Sequence, residues 1–128
     1  ENGAYVETVP IPVTQAVLER GQERYDIFCA TCHGLSGNGN GLVHLRAAKL
    51  GEGTWTPPTN LTTATVVERP VGHIYNTIAN GIRSMPAYGP QIDPEDRWAI
   101  TAYVRALQLS RNATIDDVPA SERAVLKQ

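Results

Sequence analysis

The sequence predicts a helical, single-domain protein. Three stretches, residues 14–28, 70–80 and 93–107, carry apolar side chains three and four positions apart, which is the spacing of an amphipathic helix. With 128 residues the chain has the size of one domain. Its 41% hydrophobic and 19% charged residues are ordinary for a soluble globular protein, and no internal repeat or low-complexity segment interrupts it.

The first predicted helix begins after Thr14, a residue type that caps helix N-termini, and continues to Phe28. Its middle holds Gly21, although a glycine inside a helix costs roughly 1 kcal/mol relative to alanine. We therefore expect another backbone to approach closely at Gly21. The expected partner is the last major helix, whose start is predicted by Asp93 and Pro94 and whose apolar side carries three alanines.

The most specific signal in the chain is Cys29-Ala30-Thr31-Cys32-His33. Cys-x-x-Cys-His is the attachment signature of a c-type haem, because two thiols on one turn can add across two vinyl groups while the imidazole binds iron from one face. The motif predicts one haem c, attached through Cys29 and Cys32, with His33 as an iron ligand. A buried haem would also add a large apolar body to the core, which suits a chain with only 6% aromatic residues.

Other interpretations of the two cysteines are open. A thioredoxin-like redox pair would lie at a strand-to-helix junction, but the residues before Cys29 predict a helix. A structural zinc site needs four ligands, which His44 and His73 would have to complete. A chance match or a plain disulfide would leave His33 without a role.

A long loop follows a short helix predicted over residues 42–50. Residues 51–65 show neither a helical nor a strand period, and Trp55, Pro57 and Pro58 stiffen them. We expect this loop to pack on one face of the haem, so that these three residues belong to the cofactor site and the indole N–H of Trp55 reaches a propionate. A role for Trp55 as a core filler is an open alternative.

A second chemical stretch follows the helix predicted to begin at Pro70. Met85 lies in an irregular segment between two helices, and a thioether ligand raises the reduction potential of a haem iron. We therefore predict Met85 as the second metal ligand beside His33. His73 and His44 are the rival sixth ligands, and either would give a bis-histidine haem of lower potential.

The sequence suggests three parts. Residues 1–13 predict an extended arm that covers apolar surface, residues 14–109 the haem-binding domain, and residues 110–128 an extension that packs on that domain. We expect a short helix near the end of the extension. Three apolar residues are expected to turn it back onto the domain: Val118, Val125 and Leu126.

The net charge and the two ends of the chain restrict which locations and partners the sequence predicts. A net charge of −2 gives no reason to expect nucleic acid or an anionic membrane surface as a partner. The sequence has no transmembrane run and no signal peptide, and its only methionine is Met85, so we expect a processed or trimmed form; removal of a lipid or membrane anchor with the missing start is left open. Because haem is attached outside the cytoplasm, the motif predicts a location in the periplasm or on the outer face of the cytoplasmic membrane.

Together these residues resemble the class I monohaem c-type cytochromes over residues 15–108. Four segments carry the resemblance: Gly21-x-x-x-Tyr25-x-x-x-Cys29, Cys29-x-x-Cys32-His33, the methionine loop from Gly81 to Pro86, and Ala102-Tyr103-Val104. The resemblance implies an all-α, class I cytochrome c fold, with helices and long loops around one haem and the first and last helices crossed. It also implies His33 as the proximal ligand, Met85 as the distal ligand, and a proline carbonyl, of Pro57 or Pro58, that accepts the other N–H of His33.

The Trp-Pro-Pro loop and the stretch rich in glycine and asparagine are most similar to the monohaem subunits and donors that link quinol-oxidising complexes, such as alternative complex III, to haem-copper oxygen reductases. This resemblance implies a one-electron carrier of a respiratory chain, not an enzyme, whose donor and acceptor are those membrane complexes. The alternative is a peroxidase-like haem enzyme or a ligand-binding sensor with a displaceable sixth ligand, and Met85 argues against it.

Overall fold

The computed structural model describes residues 3–51 and 53–127. Within them the chain contains helices and no strand, which confirms the predicted all-α class. The elements are α1 (Gln15–Phe28), α2 (Ala30–His33), α3 (Leu42–Leu50), α4 (Ala64–Val67), α5 (Val71–Asn80), α6 (Pro94–Asn112) and the 3₁₀-helices Ile115–Asp117 and Val125–Lys127. No helix of the described ranges has both the length and the apolarity needed to cross a bilayer. Residues 1, 2, 52 and 128, from the predicted arm, loop and extension, lie outside the described residues.

The helix ends follow local sequence signals. Thr14 caps α1, and its hydroxyl oxygen accepts a hydrogen bond from the Val17 amide at 3.2 Å. Gly81 ends α5 with a φ of 75°, a conformation that glycine adopts without steric cost. Two boundaries differ from the prediction, because Pro70 is the N-cap residue of α5 instead of its first helical residue, and α6 runs on to Asn112.

α1 and α6 cross with their backbones in contact at Gly21. This glycine is buried, and a Cβ placed on it would lie 2.6 Å from the carbonyl carbon of Ala99 and 3.0 Å from the Cβ of Tyr103. Tyr25 fills the angle beside the contact, with its ring centroid 5.4 Å from that of Tyr103. The close approach predicted from Gly21 is confirmed, and its partner is the last helix.

An apolar cluster lies beside the crossing. Its buried members come from α1, α2, α5, α6 and the segment before α6: Tyr25, Ala30, Ile74, Ile78, Ile92, Ile100, Val104 and Leu107. Part of this cluster also lines the cavity described below, namely Tyr25, Ile74, Ile78, Ile100 and Val104. The core and the cavity therefore share a wall, and the helix crossing positions that wall.

The N-terminal arm lies across the start of α5. The Gly72 amide donates a hydrogen bond to the Val6 carbonyl at 2.9 Å, and the Tyr5 ring packs edge-on against His73 with 5.1 Å between centroids. A Cβ on Gly72 would lie 2.7 Å from the Val6 nitrogen. The arm is therefore held by direct backbone contact with α5.

The C-terminal extension differs from its prediction. The chain forms turns and the 3₁₀-helix Val125–Lys127 in place of the expected helix. Val125 and Leu126 are 67% and 61% exposed, so the expectation that they return to the domain is wrong, while Val118 is half-buried. The physical reason is a local one, since Arg123 donates to the Val118 carbonyl at 2.8 Å and turns the extension onto itself.

A bidentate ion pair links the two crossed helices. Arg20 on α1 donates two hydrogen bonds to the Asp96 carboxylate on α6, at 2.9 and 3.0 Å, and these bonds lower the pKa of Asp96. A carboxylate whose pKa is lower in the folded state stabilises the fold above its unfolded pKa. That stabilisation is lost as the pH falls through the folded pKa.

We expect Asp96→Asn to lower the melting temperature by at most a few degrees at neutral pH, because solvent screens the pair. The difference from the wild type should shrink as the pH falls below about 4, the pKa of aspartate in an unfolded chain, and disappear as the pH falls through the lowered pKa of Asp96 in the folded state. Thermal unfolding at a series of pH values measures this. Glu95→Gln, in the same helical turn and with no ion pair found among the described residues, is the control. A deficit that grows in acid would contradict the ion-pair origin.

Candidate functional site

An apolar cavity of about 450 Å³ opens beside the α1–α6 crossing. Its walls come from all six α-helices of the described chain and from two loops, residues 54–61 and 82–88. All seven residues predicted for the cofactor site line it: Cys29, Cys32, His33, Trp55, Pro57, Pro58 and Met85. The fold therefore brings three separate stretches of the sequence to one apolar space.

Cys29, Cys32 and His33 lie on a single turn. Cys29 ends α1 and α2 follows at once, with the His33 amide donating to the Cys29 carbonyl at 2.8 Å. Neither cysteine is in a disulfide, and burial raises the pKa of the Cys29 thiol to about 12. Two thiols and an imidazole on one turn of the chain therefore line the same cavity.

A buried hydroxyl fixes the exit from this turn. Tyr25 is fully buried, and its hydroxyl donates to the Gly34 carbonyl at 2.7 Å. Burial raises the pKa of Tyr25, so the hydroxyl keeps its proton and remains a donor. Gly34 has a φ of 78°, which lets the chain turn sharply after His33. The helix crossing and the cysteine turn are therefore tied by one side chain.

His33 has one ring nitrogen committed and one available. Its Nδ1 lies 2.9 Å from the Thr59 carbonyl, and because a carbonyl only accepts, Nδ1 carries the proton and donates. Burial lowers the pKa of His33, so the ring is neutral and its Nε2 keeps a lone pair. The acceptor is Thr59 and neither Pro57 nor Pro58, because the extended loop brings the carbonyl after the two prolines to the ring.

Met85 ends a tight turn. Ile82 and Met85 are paired by two backbone hydrogen bonds of 2.8 and 3.2 Å. Between them Arg83 has a φ of 50°, a left-handed conformation that costs a residue with a side chain roughly 1–2 kcal/mol. The turn leaves Met85 half-buried on the wall of the cavity.

The segment after Met85 closes the end of α5. The amides of Tyr88 and Gly89 donate to the carbonyls of Ile78 and Ala79 at 2.9 and 3.0 Å. These carbonyls belong to the last turn of α5, where partners within the helix run out. The methionine segment is therefore mounted on the C-terminal end of α5.

Trp55 is half-buried on the cavity wall, but its indole N–H has a different partner from the predicted propionate. It donates to Nδ1 of His44 at 2.9 Å, and the two rings stack with 21° between their planes. This bond forms because α3 brings His44 alongside the loop, and a bond from the indole to a haem propionate stays a prediction. The same bond occupies Nδ1 of this rival iron ligand.

Besides His33, three basic residues line the cavity that were not predicted as part of the cofactor site: Arg69, His73 and Arg83. His73, considered above as a rival iron ligand and as a possible zinc ligand, packs against Tyr5, and its Nδ1 lies 3.4 Å from the Thr77 hydroxyl. Burial lowers the pKa of His73. Two arginines and a histidine thus add basic groups to a mostly apolar wall.

The alternatives for the cysteine pair find little support in this geometry. Among residues 3–51 and 53–127 no group of three or more His, Cys, Asp or Glu side chains converges as metal ligands would, so a four-ligand zinc site is not formed there. A thioredoxin-like pair would follow a strand, whereas Cys29 directly follows α1.

The residues present fit a c-type haem. Two thiols on one turn can form the covalent bonds, and a neutral imidazole and a thioether are donors that bind haem iron. The surrounding wall is mostly apolar, as a porphyrin requires. This set of residues, on an all-α fold with crossed first and last helices, defines the chain as a monohaem c-type cytochrome.

Comparison with known protein families agrees with this class. Residues 16–104 match the family described as cytochrome c oxidase, cbb3-type, subunit III, and the chain belongs to this family. The match extends from the second residue of α1 to the middle of α6. It therefore includes the cysteine turn, the loop with Trp55 and the methionine segment.

Two individual proteins illustrate the relationship. The chain is 37% identical over 97 residues to the Cbb3-type cytochrome c oxidase subunit FixP of Azorhizobium caulinodans; the alignment covers 75% of this chain but only 29% of FixP. In fold it is similar to a chain of the reducing HAO-like protein complex of Kuenenia stuttgartiensis, with a TM-score of 0.60 and 24% identity over 78% of this chain and 48% of that one. The chain thus spans less than a third of its FixP relative.

Proposed function

We propose that this domain is a one-electron carrier of a respiratory chain that holds one haem c through Cys29 and Cys32, with His33 and Met85 as the iron ligands. The observation that carries the proposal is the meeting of these four residues on one apolar cavity. When bound, the haem iron would supply a one-electron couple between ferrous and ferric states. No substrate is chemically changed in this function.

A rigid protein environment would keep electron transfer to and from this haem fast. The Thr59 carbonyl orients the His33 ring, and the Tyr25 hydroxyl fixes the turn on which the cysteines lie. The apolar wall from α5 and α6 excludes water. A rigid, dry and fully ligated site changes little when an electron arrives, which keeps the reorganisation energy small.

The partners proposed for this carrier are membrane respiratory complexes. FixP is by name a subunit of a cbb3-type oxidase, which supports a haem-copper oxygen reductase as the electron acceptor. A quinol-oxidising complex, with alternative complex III as the predicted example, is the proposed donor. The proposed location is the periplasm or the outer face of the cytoplasmic membrane, where haem is attached to such proteins.

The three-part division of the chain is also a proposal. The contacts of the arm with α5 support residues 1–13 as a strap on the haem domain. The continuation of α6 to Asn112 supports a boundary between domain and extension a few residues beyond the predicted end at residue 109.

The iron ligands are tested on the holoprotein expressed with haem maturation machinery. We expect the ferric protein to show the weak far-red band of sulfur-to-iron charge transfer. Met85→Ala should abolish that band and lower the reduction potential, because the thioether favours the ferrous state. His73→Ala, which removes a rival ligand from the same cavity, should keep the band.

Two results would contradict His/Met ligation. One is a wild-type ferric spectrum without the band; the other is a band that disappears in His73→Ala and survives in Met85→Ala. Ready binding of carbon monoxide or cyanide by the wild type would favour the alternative of a peroxidase-like enzyme or sensor. In that case the sixth position is displaceable.

A further inference from the structure

One side of the cavity is formed by a segment with few hydrogen bonds of its own. This wall segment, residues 55–59, lines the cavity with every residue. Pro57 and Pro58 have no backbone N–H, and no backbone–backbone hydrogen bond within the described residues involves positions 56–58. Among the described residues, hydrogen bonds reach the wall segment at its two ends, while Pro58 in its middle packs closely on Gly39, whose Cβ would lie 2.6 Å from the Pro58 carbonyl oxygen.

Both ends are held by histidine rings. At one end, the Thr59 carbonyl accepts the Nδ1 proton of His33 at 2.9 Å. At the other, the Trp55 indole donates to Nδ1 of His44 at 2.9 Å, and the rings stack at a centroid distance of 6.4 Å. The first bond belongs to the predicted iron ligand, and the second leads to a residue outside the cavity lining.

α3, which carries His44, is fastened to the cysteine turn at its start. The Gly41 amide donates to the Cys32 carbonyl at 3.0 Å, and a Cβ on Gly41 would lie 2.5 Å from the carbonyl carbon of Thr31. No residue of α3 is buried, and its Leu45 is 52% exposed. The helix therefore buries little apolar surface, and its backbone contact with the cysteine turn fixes where His44 stands.

We propose that His44 is a positioning residue that holds the wall segment over the haem, a role that rests on the function proposed above. It is connected through α3 to Cys32 and through Trp55 to the wall segment, so it sets the distance between the cysteine turn and the opposite side of the cavity. The same segment ends in Thr59, whose carbonyl orients His33. His44 thus acts on the site at a distance, without touching the iron or the haem.

The expected consequence of losing His44 is a looser wall. An indole N–H left without an acceptor on a half-buried ring favours a rearrangement toward water. Water beside the haem favours the more highly charged ferric state, so the reduction potential falls as the site becomes more exposed. The Met85 side of the cavity does not contain these bonds and should keep its ligand.

The test uses holoprotein variants that separate the hydrogen bond from the helix. His44→Ala removes the acceptor, whereas His44→Gln offers an amide oxygen in its place. Leu45→Ala is the matched control, because it truncates an exposed neighbour on the same helix. The readouts are hydrogen exchange of the Trp55 indole proton in the ferrous protein, assigned with Trp55→Phe, and the reduction potential.

We expect His44→Ala to speed indole exchange by about five-fold or more, the effect of losing one net hydrogen bond, and to lower the potential. His44→Gln should recover most of both changes, and Leu45→Ala should alter neither. Indole exchange at the wild-type rate in His44→Ala would overturn the proposal, as would equal changes in Leu45→Ala. The far-red band of the wild type reports on the iron ligands separately, so its absence would reject the proposed function while the indole exchange still decides the role of His44.

Discussion

Gly21→Ala should destabilise the holoprotein by about 3 kcal/mol, because the added methyl group has no space at the helix crossing. It would lie 2.6 Å from the carbonyl carbon of Ala99 and closer still to the carbonyl oxygen. Backbone cannot rotate away as a side chain can, so α1 and α6 must move apart. That movement would also open the wall that the core shares with the cavity.

Urea unfolding of the holoprotein measures this loss, and Gly53→Ala is the control. Apart from its chain neighbours, no atom of the described residues lies within 4 Å of the position that a Gly53 Cβ would take, so its replacement should change the free energy of unfolding little. A Gly21→Ala variant as stable as Gly53→Ala would show that the crossing tolerates a wider separation. The contact between backbones would then not be what sets the helix packing.

Tyr25→Phe should cost about 1–3 kcal/mol, since it leaves the Gly34 carbonyl without its buried donor. The ring itself stays, so packing against Tyr103 is kept and the change reports on one hydroxyl. Tyr88→Phe is the control, because no hydrogen bond of the Tyr88 hydroxyl is found within the described residues. The two variants are compared by urea unfolding of the holoprotein.

The Tyr25 hydrogen bond also bears on the cysteine turn. We expect Tyr25→Phe to unfold at a lower urea concentration with an unchanged denaturant slope, because the folded state loses one bond and keeps its shape. Equal stabilities of Tyr25→Phe and Tyr88→Phe would mean that the Gly34 carbonyl finds another donor. The turn after His33 would then be held by its glycine conformation alone.

Local features of the fold were predictable from the sequence. Thr14 is a short-range cap, and Gly81 is a helix terminator whose effect depends on its own backbone. Gly21 in mid-helix predicted a close contact because no other residue type permits one. The gathering of Cys29, Cys32, His33 and Met85 on one cavity was predicted from the haem attachment motif and the need for a second iron ligand, while their roles in holding the haem remain predictions.

The features of the site that the sequence did not predict depend on contacts between residues far apart in the chain. Every residue has a backbone carbonyl, so nothing in the sequence singles out Thr59 as the partner of His33. The bond from Trp55 to His44 needs α3 and the loop to lie side by side, which periodicity does not report. α4, a single turn of four residues, is too short for a periodic signal.

The mounting of the methionine segment on α5 decides how that segment can open. Tyr88 and Gly89 supply the donors for the last carbonyls of the helix, so lifting the segment would leave those carbonyls without partners. Met85 and the end of α5 are therefore expected to form one cooperative unit that opens and closes together. Because its hydrogen bonds to α5 hold the methionine segment, the Met85 sulfur stays near the cavity without requiring contacts from other parts of the chain.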